Sequence, residues 1–184
     1  MGKETEQKQE IVNQGVHTYS QEEAYVWPEE PVLREQLEWF QDQKLALMVH
    51  WGVYNQLGMV ASWALSDEDA EWSRKTMDWT DDGEVFKRQY RALNRAFDPV
   101  AFQPEEWAKM AKKCGFRYLI LTTKHHDGFC LWDTAYTEYK TTAEECPFHT
   151  HKYADIVRAM FDAFRKEGLG IGAYFSKADW HCPD

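Results

Sequence analysis

The chain has 184 residues, is 43% hydrophobic and 15% aromatic, and carries a formal net charge of −10. That composition supports a packed core, while the acidic balance and the lack of a basic stripe exclude a nucleic-acid backbone as partner, since such binding needs clustered Lys and Arg. Cys114, Cys130, Cys146 and Cys182 show no Cys-x-x-Cys pair, which excludes a zinc knuckle or a disulfide miniprotein, and no run reaches the ~20 apolar residues of a membrane span.

Residues 1–28 are rich in Glu and Gln and end at Trp27-Pro28, so they read as a polar tail or arm preceding the body at 29–184. No apolar secretory core is visible near Met1. Pro31 opens a helix on which Leu33, Leu37 and Phe40 recur at helical spacing. The run Leu45 to Val49 then ends in His50-Trp51-Gly52, an apolar strand closing in polar and aromatic groups. From Gly58 to Asp82 the chain reads as one long polar loop studded with Trp63, Trp72 and Trp79, long enough to be a site wall. Phe86, Tyr90, Leu93 and Phe97 mark the next helix, closed by Asp98-Pro99.

Gln103-Pro104-Glu105-Glu106 starts a further helix, with Pro in the first turn and carboxylates facing the helix dipole. Its buried stripe reads as Trp107, Met110, Ala111 and Cys114, and Gly115 sits where a left-handed cap is expected. Tyr118 to Thr123 is an apolar and β-branched run, read as a parallel strand buried on both faces, and it stops in Lys124-His125-His126-Asp127-Gly128. Strand alternation would send His125 and His126 to opposite faces, one towards a site and one behind it. An irregular segment, 130–150, leads to a helix carrying Tyr153, Ile156, Val157, Met160, Phe161 and Phe164. Leu169 to Ser176 is the third strand, with Lys177 to Trp180 as its exit.

The order strand, long loop, helix, with polar residues always at the same strand end, points to an α/β fold with a parallel sheet, open or closed into a (β/α) barrel. Such folds gather ligand-binding groups at the carboxyl ends of their strands, so the clusters at His50 and at Lys124 to Asp127 are the site candidates. A metal site built from His125, His126, Asp127, His149 and His151 is disfavoured, because adjacent strand residues diverge and His149-Thr150-His151 does not follow an apolar strand.

Three motifs in order, Val49-His50-Trp51-Gly52, Leu121 to Phe129, and Tyr174-Phe175-Ser176 with Asp179-Trp180, closely resemble the α-L-fucosidases of glycoside hydrolase family 29. The resemblance runs from about Gln36 to Asp184 and implies a (β/α)8 TIM-type barrel, of which this chain holds the first three or so units. It implies a retaining exo-glycosidase that removes terminal α-L-fucose from glycans, with no cofactor and no metal. His50, Trp63, His125, His126 and Tyr174 are then the expected substrate-binding residues, and Trp51, Asp127 and Trp180 the supporting ones. Asp127 takes an orienting role rather than that of nucleophile, and Gly52 and Gly128 are expected to let the backbone turn sharply. Where many members carry Glu-Trp this chain has Ser62-Trp63, which removes one expected contact to a sugar hydroxyl. The family draws its nucleophile and acid/base from later strands, so the chain is expected to be an inactive N-terminal piece. A fucose-binding barrel without catalysis is the alternative. Such enzymes are commonly secreted, periplasmic or lysosomal.

Overall fold

The computed structural model describes residues 26–67, 71–75 and 79–181. Most of the expected tail (1–25), Glu68 and Asp69 of the Trp-studded loop, and Cys182 lie outside the described residues. The chain divides into two compact units, one ending at Asp42 and one beginning at Gln43. In the first, helix α1 spans Pro31–Gln43, reaching one residue into the second unit. Glu30 caps it by accepting from the amides of Val32 at 3.1 Å and Leu33 at 2.5 Å, which satisfies two of the donors a helix start leaves open. Arg34 and Glu38 pair along it at 3.3 Å.

The second unit is built on three parallel strands in the order β1-β2-β3: Ala46–Val49, Tyr118–Lys124 and Gly170–Phe175. Ala46 pairs with Tyr118 and Tyr118 with Gly170, so all three strands begin at the same level, and β1 stops opposite Leu121 while β2 and β3 run on to Lys124 and Phe175. The β2–β3 register slips between Thr122 and Lys124, just before the His125-His126 turn. Parallel neighbours need a crossover. Between β1 and β2 the chain forms α2 (Glu71–Lys75), α3 (Gly83–Arg91) and α4 (Pro104–Lys113); between β2 and β3 it forms α5 (Ile156–Lys166). No helix among the described residues is long and apolar enough to cross a membrane.

Leu119 and Leu121 from β2 belong to one continuous core that also takes in Ala108 and Ala111 of α4 and Ile156, Met160, Ala163 and Phe164 of α5. The stripe expected on α4 is corrected here. Ala108 and Ala111 are buried, whereas Met110 is 57% exposed and Cys114 lies at the surface. Helix α4 packs mainly on α5, and Met110 sits one 100° step from Ala111, off the buried face. Burial of β2 on both faces holds only towards its carboxyl end, where Thr122, Thr123 and Lys124 are buried. Ile120 is only half-buried, and on the neighbouring strands Met48 is 51% and Phe175 52% exposed. Among the described residues, helices cover one face of the sheet and leave the other only partly covered, buried at Thr122 and Lys124 and exposed at Met48 and Phe175.

The segment expected as an unbroken loop contains a 3-10 turn at Ser62–Leu65 as well as α2. Ala61, Ser62, Ala64 and Leu65 are buried, so this stretch packs as a wall rather than wandering at the surface. Helix α3 begins at Gly83, three residues before the first apolar marker, because the Asp82 side chain accepts from the amides of Glu84 and Val85.

Candidate functional site

Three imidazoles meet just past the carboxyl ends of β1 and β2. His50 follows β1 directly, and its Nδ1 lies 2.9 Å from Thr122 Oγ1 on β2. His125 follows β2, and its Nδ1 lies 2.5 Å from Ser62 Oγ, which the buried 3-10 turn delivers. The two rings meet edge to face with centroids 5.0 Å apart. His126 lies in edge contact with His125 at 4.8 Å and donates from Nδ1 to the Ala178 carbonyl at 3.1 Å. Its ring stacks on Trp180 at 4.5 Å. The alternation expected for His125 and His126 does not reach them. Strand β2 ends at Lys124, and the chain turns there, with Gly128 N bonded back to the His125 carbonyl.

Aromatic groups frame these rings. Tyr174 of β3 stacks on His125 at 6.3 Å and meets His50 at the same distance, edge on. Trp63, 40% exposed, stands 6.5 Å from His125. Tyr54, fully buried, contacts both His50 at 5.3 Å and His125 at 5.6 Å. Sequence reading gives no sign of Tyr54, which looks like any aromatic in a short turn. Its ring also explains Gly52. That residue is extended at φ −179°, not a sharp turn, but a Cβ there would press on Tyr54 Cε1 and lie 3.0 Å from Cδ1. Trp51 points into the core against Phe97, Phe102 and Trp107.

Beneath the rings lies a charged layer. Lys124 is buried, with Nζ 3.2 Å from Asp179 Oδ2 and above the Phe175 ring. Asp127, also buried, accepts from the Phe129 amide at 3.1 Å through Oδ1 and from the Tyr90 hydroxyl at 2.9 Å through Oδ2. Burial pushes its carboxyl up to about 6, opposed by those two donors and by Lys124. Gly128 needs its left-handed φ of +80°, and a Cβ there would fall 2.7 Å from Asp179 Oδ1.

Burial also lowers all three imidazoles. His125 falls to about 3, with His126, His50 and Lys124 adding to the effect, while the Ala178 carbonyl partly offsets the fall at His126. At neutral pH the cluster is uncharged. Neutral imidazoles both donate and accept, which suits a ligand presenting several hydroxyls, and the flanking indole offers a flat apolar face. Among the described residues no group of three or more His, Cys, Asp or Glu side chains converges as metal ligands would. His149 donates to the Cys146 carbonyl, and His151 stacks on Phe148 and accepts from the Tyr153 amide.

The sequence model of the family described as alpha-L-fucosidase matches residues 12–184. Rat tissue alpha-L-fucosidase is 30% identical over 145 residues, which cover 79% of this chain and 30% of that protein. A putative alpha-L-fucosidase 1 from Oryza sativa subsp. japonica is 35% identical over 80% of this chain and 23% of its own length. Among solved structures, a GH29 alpha-L-fucosidase from Bacteroides thetaiotaomicron superimposes with a TM-score of 0.65 at 30% identity, covering 88% of this chain and 33% of that one. Another GH29 alpha-L-fucosidase structure from Bacteroides thetaiotaomicron, a mutant's trapped covalent intermediate in complex with 2-fluoro-fucosyl fluoride, gives a TM-score of 0.64 at 30% identity, covering 88% of this chain and 33% of that one. The chain therefore spans a third or less of the length of these relatives.

Proposed function

From the premise that this chain belongs to the α-L-fucosidase family, we propose that it forms the sugar-holding part of a retaining exo-glycosidase that removes terminal α-L-fucose from glycans. The observation that carries the reading is the convergence of His50, His125 and His126, with Trp63 and Tyr174 beside them, at one end of a parallel sheet. In this reading β1 to β3 are the first strands of a (β/α)8 barrel whose remaining strands cover the partly covered sheet face, as barrel closure demands. Strand ends are where such barrels place their ligands.

Fucose is an uncharged pyranose whose hydroxyls project around the ring and whose C–H groups form an apolar patch on one face. Neutral imidazoles bond the hydroxyls without desolvating a charge, and Trp63 receives the apolar side. The retaining reaction uses a nucleophilic carboxylate and an acid/base carboxyl ~5 Å apart. Asp127 is buried and held by Tyr90 and Phe129, and Asp179 is paired with Lys124, so neither is available for that work. Both catalytic groups then come from outside the described residues. A double displacement is supported by the covalent intermediate trapped in the Bacteroides relative.

Calorimetry with L-fucose and a turnover assay on an aryl α-L-fucoside, both using the 184-residue chain, test the two halves separately. Saturable L-fucose binding and no turnover above background are expected. Absence of binding contradicts the pocket, and clear turnover contradicts the placement of the carboxylates.

A further inference from the structure

Each of the three imidazoles commits Nδ1 to one protein partner, and no described residue takes up Nε2. The partners differ in what they permit. A peptide carbonyl only accepts, so His126 carries its proton on Nδ1 and presents Nε2 as a bare acceptor. Ser62 and Thr122 are hydroxyls, both fully buried, and the imidazole is each one's hydrogen-bond partner among the described residues. If the ring nitrogen donated, the hydroxyl proton would be left buried with no acceptor, which is the costly arrangement. With the hydroxyl donating, its proton is satisfied and the ring proton moves to Nε2.

We propose that Ser62, Thr122 and the Ala178 carbonyl preset the pocket as two donors, Nε2–H of His125 and of His50, and one acceptor, Nε2 of His126, and so select polyols whose hydroxyls match that order. Ser62 and Thr122 are thus positioning and specificity-determining residues that act through imidazoles. The low proton affinity of the buried rings supports this, because a charged imidazole would donate from both nitrogens and erase the pattern. Ser62 is coupled to His125 across 63 positions of sequence. The inference rests on the fucosidase reading only for the identity of the ligand.

Ring-nitrogen NMR of the 184-residue chain labelled with ¹⁵N at histidine reads the tautomers directly. At pH 7, His50 and His125 are expected to show a protonated Nε2 and a bare Nδ1, with His126 the reverse. Ser62→Ala is expected to release His125 into a mixture of tautomers and to weaken L-fucose binding about 3- to 10-fold, the worth of one net hydrogen bond. Ser62→Thr, which keeps the hydroxyl, restores both readouts. A proton on Nδ1 of His125 in the wild-type chain, or a His125 spectrum unmoved by Ser62→Ala, overturns the proposal. If the tautomers are as stated but wild-type protein binds no L-fucose, the sugar reading fails and the assignment of the ring protons stands.

Discussion

Tyr90→Phe isolates the buried layer beneath the pocket, because it deletes one oxygen that bonds Asp127 Oδ2 at 2.9 Å and leaves the ring in place. Burial raises Asp127 from its ordinary 3.8 to about 6. An acid raised in the folded state favours folding while protonated; that contribution is complete below pH ~4 and is lost as the pH rises through about 6. At 1.36 kcal/mol per pKa unit the loss reaches ~3 kcal/mol by pH 8. The Tyr90 hydroxyl is one of two described hydrogen-bond donors that make the ionised form tolerable, the other being the Phe129 amide. A bond to a charged acceptor contributes ~1.5–3 kcal/mol and one to a neutral acceptor ~1 kcal/mol. Tyr90→Phe should therefore cost about 2–3 kcal/mol at pH 8 but only about 1 kcal/mol at pH 4.5. Urea unfolding followed by tryptophan fluorescence measures both values. Equal losses at the two pH values would refute the assignment of Asp127 as a buried acid whose charge Tyr90 supports.

Two further substitutions probe the rim and the turn. Gly128→Ala meets both a positive φ and a Cβ contact of 2.8 Å with His181, so it should lower stability by about 2 kcal/mol or more, seen as a drop in Tm. Trp63→Ala removes a side chain that is already 40% exposed; it should leave Tm nearly unchanged yet weaken L-fucose binding about tenfold by calorimetry, whereas a large loss of stability with no change in binding would make Trp63 a packing residue.

The strands and most helices could be read from the sequence because their signals are local. The apolar runs before His50, Lys124 and Ser176 became β1 to β3. Pro104 opens α4, and Gly115 takes the expected left-handed conformation at φ +85°. Errors arose where a neighbour decides the outcome. Met110 and Cys114 recur at helical spacing with Trp107 and Ala111, but Ala108 and Ala111 are the residues buried in the core. The cluster of His50, His125 and His126 stands out as polar residues ending apolar strands. What orients it does not. Ser62 lies 63 residues from His125, Thr122 lies 72 from His50 and Tyr90 lies 37 from Asp127, and no local pattern links such pairs before the chain folds. The partial exposure of the sheet's other face was likewise illegible, since Met48 and Phe175 are as apolar as residues that are buried.

In the proposed function, His50, His125 and His126 together hold a fucose. Titrating L-fucose into the histidine-labelled chain tests it most directly. Saturable shifts are expected at the ring nitrogens of His50, His125 and His126 and none at His149 or His151, whose rings are occupied in local structure. Silence at the first three, or a response centred on the other two, contradicts it.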